Sequence, residues 1–149
     1  MVTKLNIMKY SCLTTLLILS NMSEIGAQTV LKVERIVVST AVEERRPVGE
    51  SDTFPDSVGT LFCYTEIRGM GDSTTVSHVW YHGEIRRADV QLNVRGYRWR
   101  TWSTKVIQED WTGAWRVDVV SADGKILKSK RFRIIDTDGS ENEVDTTLN

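Results

Sequence analysis

The residues able to do chemistry crowd into one stretch of this sequence. All five tryptophans fall between Trp80 and Trp115, and the densest part reads Tyr97-Arg98-Trp99-Arg100-Thr101-Trp102-Ser103. Aromatic planes beside forked guanidinium donors are a common way to hold sugars, carboxylates or an extended peptide. Trp99, Arg100, Trp102 and neighbouring Arg98 are therefore the candidate ligand-binding residues, with His78 added as a polar residue within reach of the same region. The competing reading is packing: large aromatics fill small β cores, and arginines stack on tryptophans to cover a sheet. Trp99 and Trp102 are three apart, so a regular strand sends them to opposite faces unless a bulge intervenes.

Other chemistries find little support. His78 and His82 are four apart, which in a strand separates them by about 13 Å, so this pair alone does not chelate a metal. His78 is expected to be a strand residue bonded to neighbouring backbone, and His82 to sit in a turn. Ser103 with His78 has the residue types of a nucleophile and base, but the sequence supplies no geometry for them. There is no G-x-S-x-G elbow, H-E-x-x-H, paired CxxC or phosphate-cradling glycine loop. The sequence calls for no cofactor, no metal and no catalytic residues.

The elements that position these residues read as strands. Val90, Leu92 and Val94 alternate with polar neighbours, as do Trp115, Val117 and Val119, which is the period of a half-buried strand. Further β-rich runs lie at 31–42, 58–67, 74–81, 99–107 and 126–135. Asp123-Gly124 is a strong hairpin signal and His82-Gly83 a weaker one. About seven short strands without a capped amphipathic helix predict an all-β, immunoglobulin-like antiparallel β-sandwich. Cys63 in an early strand and Trp80 in the next echo that fold, although the second cysteine is missing.

The two ends read differently from the body. Lys4 and Lys9 precede a short apolar run from Cys12 to Leu19, and Ile25-Gly26-Ala27 offers a small residue at a cleavage point. Residues 1–27 are thus expected to be a signal peptide, with Met8 an alternative start, and the run is too short to span a bilayer. An exported domain, periplasmic or extracellular, follows at 28–135; an uncleaved leader would leave it membrane-associated. Residues 136–149 carry five acids and no base, and are expected to form a solvated acidic tail without order. Cleavage removes Cys12 and leaves Cys63 alone, best read as a buried small hydrophobe.

Composition sets the outer bounds. At 149 residues, with 26% charged and 40% hydrophobic residues, the chain fits one globular domain and is neither collagenous nor many-pass membrane protein. The formal net charge of −1 conceals a gradient, since residues 85–133 hold twelve Lys/Arg against five Asp/Glu. Arg86, Arg95, Arg98, Arg100, Arg116, Lys128 and Lys130 are candidates to share a face. Such a face suits anionic envelope polymer, lipid head groups, an acidic partner or the chain's own acidic tail. Nucleic acid is disfavoured by the export signal.

Several pieces together resemble a known bacterial family: Arg46-Pro47-Val48, Phe62-Cys63-Tyr64-Thr65-Glu66-Ile67-Arg68-Gly69, Val76-Ser77-His78-Val79-Trp80-Tyr81-His82-Gly83, Tyr97-Arg98-Trp99-Arg100-Thr101-Trp102-Ser103, Trp111-Thr112-Gly113-Ala114-Trp115-Arg116-Val117 and Asp123-Gly124-Lys125-Ile126-Leu127. They are similar to domain-of-unknown-function family 2914, over residues 31–134. The Trp-Arg-x-Trp-Ser core followed by Gly-x-Trp-x-Val is the most specific part. The resemblance implies a small β domain of exported or membrane-associated bacterial proteins, without assigned catalytic residues. The expected function is a non-enzymatic binding module for an envelope glycan or anionic polymer. A protein-interaction or assembly module is the alternative, and a hydrolase-type enzyme the third reading. Oligomeric state is not legible.

Overall fold

The structure, a computed structural model, describes residues 31–69 and 71–137. The expected leader and all but the first two residues of the acidic tail lie outside them. Nine strands follow in order: β1 (Lys32–Glu43), β2 (Arg46–Glu50), β3 (Thr53–Pro55), β4 (Thr60–Arg68), β5 (Thr74–His82), β6 (Ile85–Val94), β7 (Arg98–Val106), β8 (Gly113–Ser121) and β9 (Ile126–Ile135). They build a four-stranded sheet, β2-β1-β4-β7, and a five-stranded sheet, β3-β9-β8-β5-β6. Setting aside the short β2 and β3, three strands face four in the Greek-key order of an immunoglobulin-like sandwich.

The seven longer strands lie where the sequence predicts them, two from clean apolar–polar alternation and five from β-rich runs; the two additional strands lie outside that reading. Arg46–Glu50 contains one proline and one glycine, and pairs only with the end of β1. Thr53–Pro55 runs parallel to β9, so the sandwich is mixed rather than wholly antiparallel. Proline is tolerated in both because each strand lies at a sheet edge. The first hairpin turn is also shifted by one residue. His82 pairs with Ile85, and Gly83-Glu84 make the turn, with Gly83 at φ 56°.

Inward-facing side chains of both sheets meet in one core. Val33, Ile36, Val38, Leu61, Cys63 and Ile67 come from the four-stranded sheet. Val76, Trp80, Trp115, Val117, Val119, Phe132 and Ile134 come from the five-stranded one. Phe132 packs edge-on to Trp80 at 6.2 Å and stacks on Trp115 at 5.9 Å. Each buried tryptophan removes roughly 200 Å² from water, an upper bound of about 5 kcal/mol apiece. Trp80 and Trp115 are core residues, as their alternation predicts, and Cys63 is fully buried. Burial pushes the Cys63 thiol far up, so it stays protonated and unreactive.

The open side of the sandwich between β6 and β7 is plugged by the loop before β8. Trp111 lies beneath the Arg87 guanidinium at 4.3 Å and the Lys105 ammonium at 5.1 Å. His82 stacks on Trp115 at 4.8 Å, and its Nε2–H donates to the Thr112 carbonyl at 2.7 Å. The opposite side is closed by lysines: the Lys128 ammonium donates to the Glu34 carbonyl at 3.2 Å, and Lys130 pairs with Asp52 at 2.5 Å. The seven basic residues gathered from sequence therefore do not share a face. Arg98 and Arg100 belong to one sheet, Arg86, Arg116, Lys128 and Lys130 to the other, and Arg95 to the β6–β7 loop. The alternation of single strands cannot say which sheet a strand joins.

Candidate functional site

Strand β7 carries most of the candidate residues, and its pleat sorts them. It pairs with β4 through nine consecutive residues without a register shift, from Thr60 opposite Val106 to Arg68 opposite Arg98. With no bulge, Trp99 and Ser103 face the core while Arg98, Arg100 and Trp102 face outward. Trp99 is half-buried against the core cluster, and Trp102 lies parallel to Tyr64 at 6.4 Å on the outer face. Only one of the two tryptophans is thus available to the outer surface.

The inner face holds a polar network. His78 is fully buried on β5, with Nδ1 2.9 Å from Ser103 Oγ and Nε2 3.2 Å from Thr65 Oγ1. Trp80 Nε1 donates to Ser103 Oγ at 3.0 Å, and Thr65 Oγ1 donates to the Thr101 carbonyl at 3.2 Å. One proton arrangement satisfies every group: indole N–H to serine, serine O–H to Nδ1, Nε2–H to threonine, threonine O–H to carbonyl. The imidazole is therefore neutral and protonated on Nε2. Desolvation pushes its pKa down from 6.5 to about 4. His78 bonds to hydroxyls of the opposite sheet rather than to neighbouring backbone, and so it ties the two sheets together. It does not reach the outer face where the other four candidates lie.

The outer face opens into a cleft of about 360 Å³ lined by Arg45, Arg68, Arg98, Arg100, Glu34 and Glu66, and by parts of the core-facing Ile67 and Trp99. Its electrostatics are lopsided. Glu34 is held by Arg68 at 3.1 Å and Lys32 at 3.2 Å, and those partners lower its pKa. Glu66 lies 3.7 Å from Arg35 and accepts from the Tyr64 hydroxyl at 3.2 Å. Among the described residues, no ion pair involves Arg45, Arg98 or Arg100. Arg68 and Arg98 stand directly opposite each other across the ladder, a like-charge pairing that destabilises a bare sheet.

Arg45 reaches the cleft from the β1–β2 turn. Glu44 and Arg45 both adopt positive φ, 46° and 60°, where a two-residue hairpin turn ordinarily carries Asn-Gly. Neither side chain favours that region, so the turn stores backbone strain of about 1 kcal/mol or more per residue. The Arg45 carbonyl lies 3.1 Å from the Tyr64 hydroxyl and shares that hydroxyl's single proton with Glu66, a contact that holds the turn against the sheet. Burial and neighbouring Glu66 raise the Tyr64 pKa, keeping that donor protonated. Sequence reasoning missed Arg45, Arg68, Glu34 and Glu66 because they come from another hairpin and another strand. The outward alternation Tyr64-x-Glu66-x-Arg68 was the available signal.

Strand β7 is also an edge. Gly69 N–H donates to the Tyr97 carbonyl at one end of the ladder, and Ile107 N–H to the Gly59 carbonyl at the other. Antiparallel pairs alternate between bonded and non-bonded, so the odd-numbered residues of β7 bond to β4. Arg98, Arg100, Trp102 and Thr104 turn their N–H and C=O groups to the free side. Among the described residues no strand pairs there.

Residues 73–134 match the family described as Protein of unknown function (DUF2914). This is the family whose pattern the sequence resembles. The DUF2914 match spans β5 to nearly the end of β9, and so holds His78, Arg98, Trp99, Arg100, Trp102 and Ser103. Arg45, Arg68 and the Arg46-Pro47-Val48 and Phe62–Gly69 pieces precede it. No curated protein matches the chain. Among solved structures, a beta-glucosidase from Kluyveromyces marxianus is similar at TM-score 0.40 and 14% identity, covering 70% of this chain and 14% of that one. A likeness that distant says nothing about activity here.

Proposed function

We propose that this β-sandwich is an exported, non-enzymatic binding module that takes an anionic polymer or glycan of the cell envelope. Its working surface is the arginine cleft on the outer face of the four-stranded sheet. One observation carries this reading: Arg45, Arg98 and Arg100 ring a cleft whose two glutamates are already engaged by other cations. Four guanidiniums around two glutamates leave an excess of positive charge in the cleft, and an anion with several oxygens offsets that excess by forked hydrogen bonds. Trp102 on the same face offers an indole edge or plane to a sugar ring. The leader expected at 1–27 supports an envelope setting.

Fluorescence titration with acidic polysaccharide and with inorganic polyphosphate tests this. A saturable change that weakens with salt, and is lost in Arg98→Ala and Arg100→Ala, supports it. An unchanged spectrum across both polymers overturns it. The unpaired edge of β7 favours the second reading, a protein-interaction module, because a free strand edge accepts an added strand. The hydrolase reading needs His78 and Ser103 in an open pocket. Their hydrogen bond exists, but both are buried between the sheets and neither lines the cleft.

A further inference from the structure

Strand β7 lies where sandwiches of this order can hold one more strand. Strands β1, β4 and β7 take the places of strands A, B and E, and constant-type immunoglobulin domains pair a further strand, D, with E. Here the chain passes from β6 to β7 through residues 95–97, and among the described residues nothing pairs with the far edge of β7. Strand β6 does not fill that place. It pairs with β5 in the facing sheet, and variable-type domains carry such a strand together with D. The backbone groups of Arg98, Arg100, Trp102 and Thr104 point into the open place, and Arg98, Arg100 and Thr104 are exposed.

Side chains decide what kind of strand fits. The same four residues turn their side chains to the outer face, so the residues opposite them on an added strand share that face. Arg98 and Arg100 have no ion pair among the described residues. Glu66 stands opposite Arg100 on the β4 side, but its carboxylate lies against Arg35 and the Tyr64 hydroxyl. Opposite charges directly across a ladder stabilise it, and like charges destabilise it. Arg98 already faces Arg68 on one side, so the complement on the other is a carboxylate. An antiparallel strand with acids at two alternate positions, and an apolar residue two positions before them, meets Arg100, Arg98 and Trp102 in one register. A second copy of β7 is the wrong occupant, since it doubles the arginines on that face.

We propose that β7 receives an extended acidic segment of a partner protein as an added antiparallel strand, with carboxylates at alternate positions on Arg98 and Arg100. This rests on the protein-interaction reading of the edge and names the chemistry of the partner. Main-chain bonds hold the strand, and its alternate acids set the register. Because the same arginines line the cleft, strand and polymer exclude each other.

A capped peptide reading Thr-Val-Thr-Val-Thr-Glu-Thr-Glu-Thr, added to the full chain, tests this by amide hydrogen exchange. At low salt and about 1 mM peptide, the amides of Arg100, Trp102 and Thr104 exchange about tenfold more slowly. Those of Trp99, Thr101 and Ser103, bonded to β4, do not change. Methylating the backbone nitrogens of both glutamates abolishes the protection, because those nitrogens bond to β7. Glutamine in place of both glutamates weakens binding about tenfold, and the difference fades with salt. Slowing without alternation, or equal protection by the N-methylated peptide, overturns the proposal.

Two results separate it from the reading beneath it. Equal protection by the glutamate and glutamine peptides overturns the acidic partner and leaves the edge a protein-interaction site. No protection by either, with polyphosphate still bound by the chain, overturns the added strand and leaves the polymer site standing. Loss of the edge protection when polyphosphate is added supports shared arginines. Protection that persists with polymer bound overturns Arg98 and Arg100 as the contact.

Discussion

Strand β7 is polar on both faces, and the two faces are built on opposite principles. Inside, Ser103 joins His78, Trp80 and Thr65 in a network where every donor has an acceptor. Outside, Arg98 and Arg100 line a cleft without an ion pair of their own among the described residues, although Glu66 stands opposite Arg100 across the ladder. A buried polar group left unpaired costs free energy, so the inner network must be complete for the domain to fold. An exposed guanidinium meets water, so the outer face need not be complete, and the proposed ligand would supply further partners. Residue types alone do not separate the two faces: they group His78 with the arginines and tryptophans of the candidate site, whereas the structure places it on the inner face.

Ser103→Ala gives the largest expected effect on this contrast. It removes the acceptor for Trp80 Nε1–H and the donor to His78 Nδ1, leaving two buried groups without partners. The loss in stability is about 3 kcal/mol, read by urea unfolding. Arg98→Ala, two residues' pleat away from the core, changes stability by no more than about 0.5 kcal/mol, and relief of its opposition to Arg68 makes the change favourable. Equal losses in the two variants would abolish the distinction between the faces.

Acid should attack the inner face through His78. The folded chain takes up the second imidazole proton, on Nδ1, only below about pH 4, whereas the unfolded chain binds it below about 6.5. Between those values the unfolded state carries more protons, so stability falls as the pH drops from 6.5 to 4. The group's total contribution is about 3 kcal/mol, fully present above pH 6.5. The carboxylates of Glu34, Asp56 and Asp123 are held below their ordinary values by hydrogen bonds, to Arg68 and Lys32, to Thr137 and to Ser121 respectively, so they too favour the folded chain less as acid is added. Subtracting the pH profile of His78→Gln isolates the imidazole. A slope that survives that substitution unchanged would assign the acid sensitivity to the carboxylates instead.

The sequence carried the inner face better than the outer one. The alternation around Val90, Trp115 and Val117 places the strands, and Trp80 and Trp115 in the core follow from it. The three-residue spacing of Trp99 and Trp102 correctly sends them to opposite faces. Cross-strand facts lie beyond such patterns. That Arg68 stands opposite Arg98, or that Arg45 is delivered by a neighbouring hairpin, depends on which strands pair and in what register. The same limit explains why six of the seven bases separate between two sheets and the seventh, Arg95, lies in a loop, and why β2 and β3, with proline and without alternation, were not foreseen. The hydroxyl partners of His78 come from the facing sheet and are illegible for the same reason.

On the outer face, Arg98 and Arg100 should matter for binding without mattering for folding. Arg98→Ala and Arg100→Ala are expected to weaken polyphosphate binding about tenfold each, and raising salt should narrow the difference. Trp102→Ala separates the polymer classes. It weakens an acidic polysaccharide through the lost ring contact while leaving polyphosphate, which has no ring to stack, little changed.

The smallest effect tests whether strain at the β1–β2 turn serves the cleft. Glu44 and Arg45 both occupy left-handed backbone, and glycine at either position relieves the clash between Cβ and the backbone. Glycine also has more freedom to lose on folding, so each substitution is expected to stabilise by only about 0.5 to 1 kcal/mol. On stability the two variants should therefore look alike. They part on binding: Arg45→Gly removes a guanidinium that lines the cleft, whereas Glu44→Gly leaves every lining residue in place. Weaker polyphosphate binding by Arg45→Gly alone would show that a left-handed arginine is kept for its side chain, at the expense of the turn. Unchanged binding by both would make the strain incidental, and would shrink the working surface to Arg68, Arg98 and Arg100.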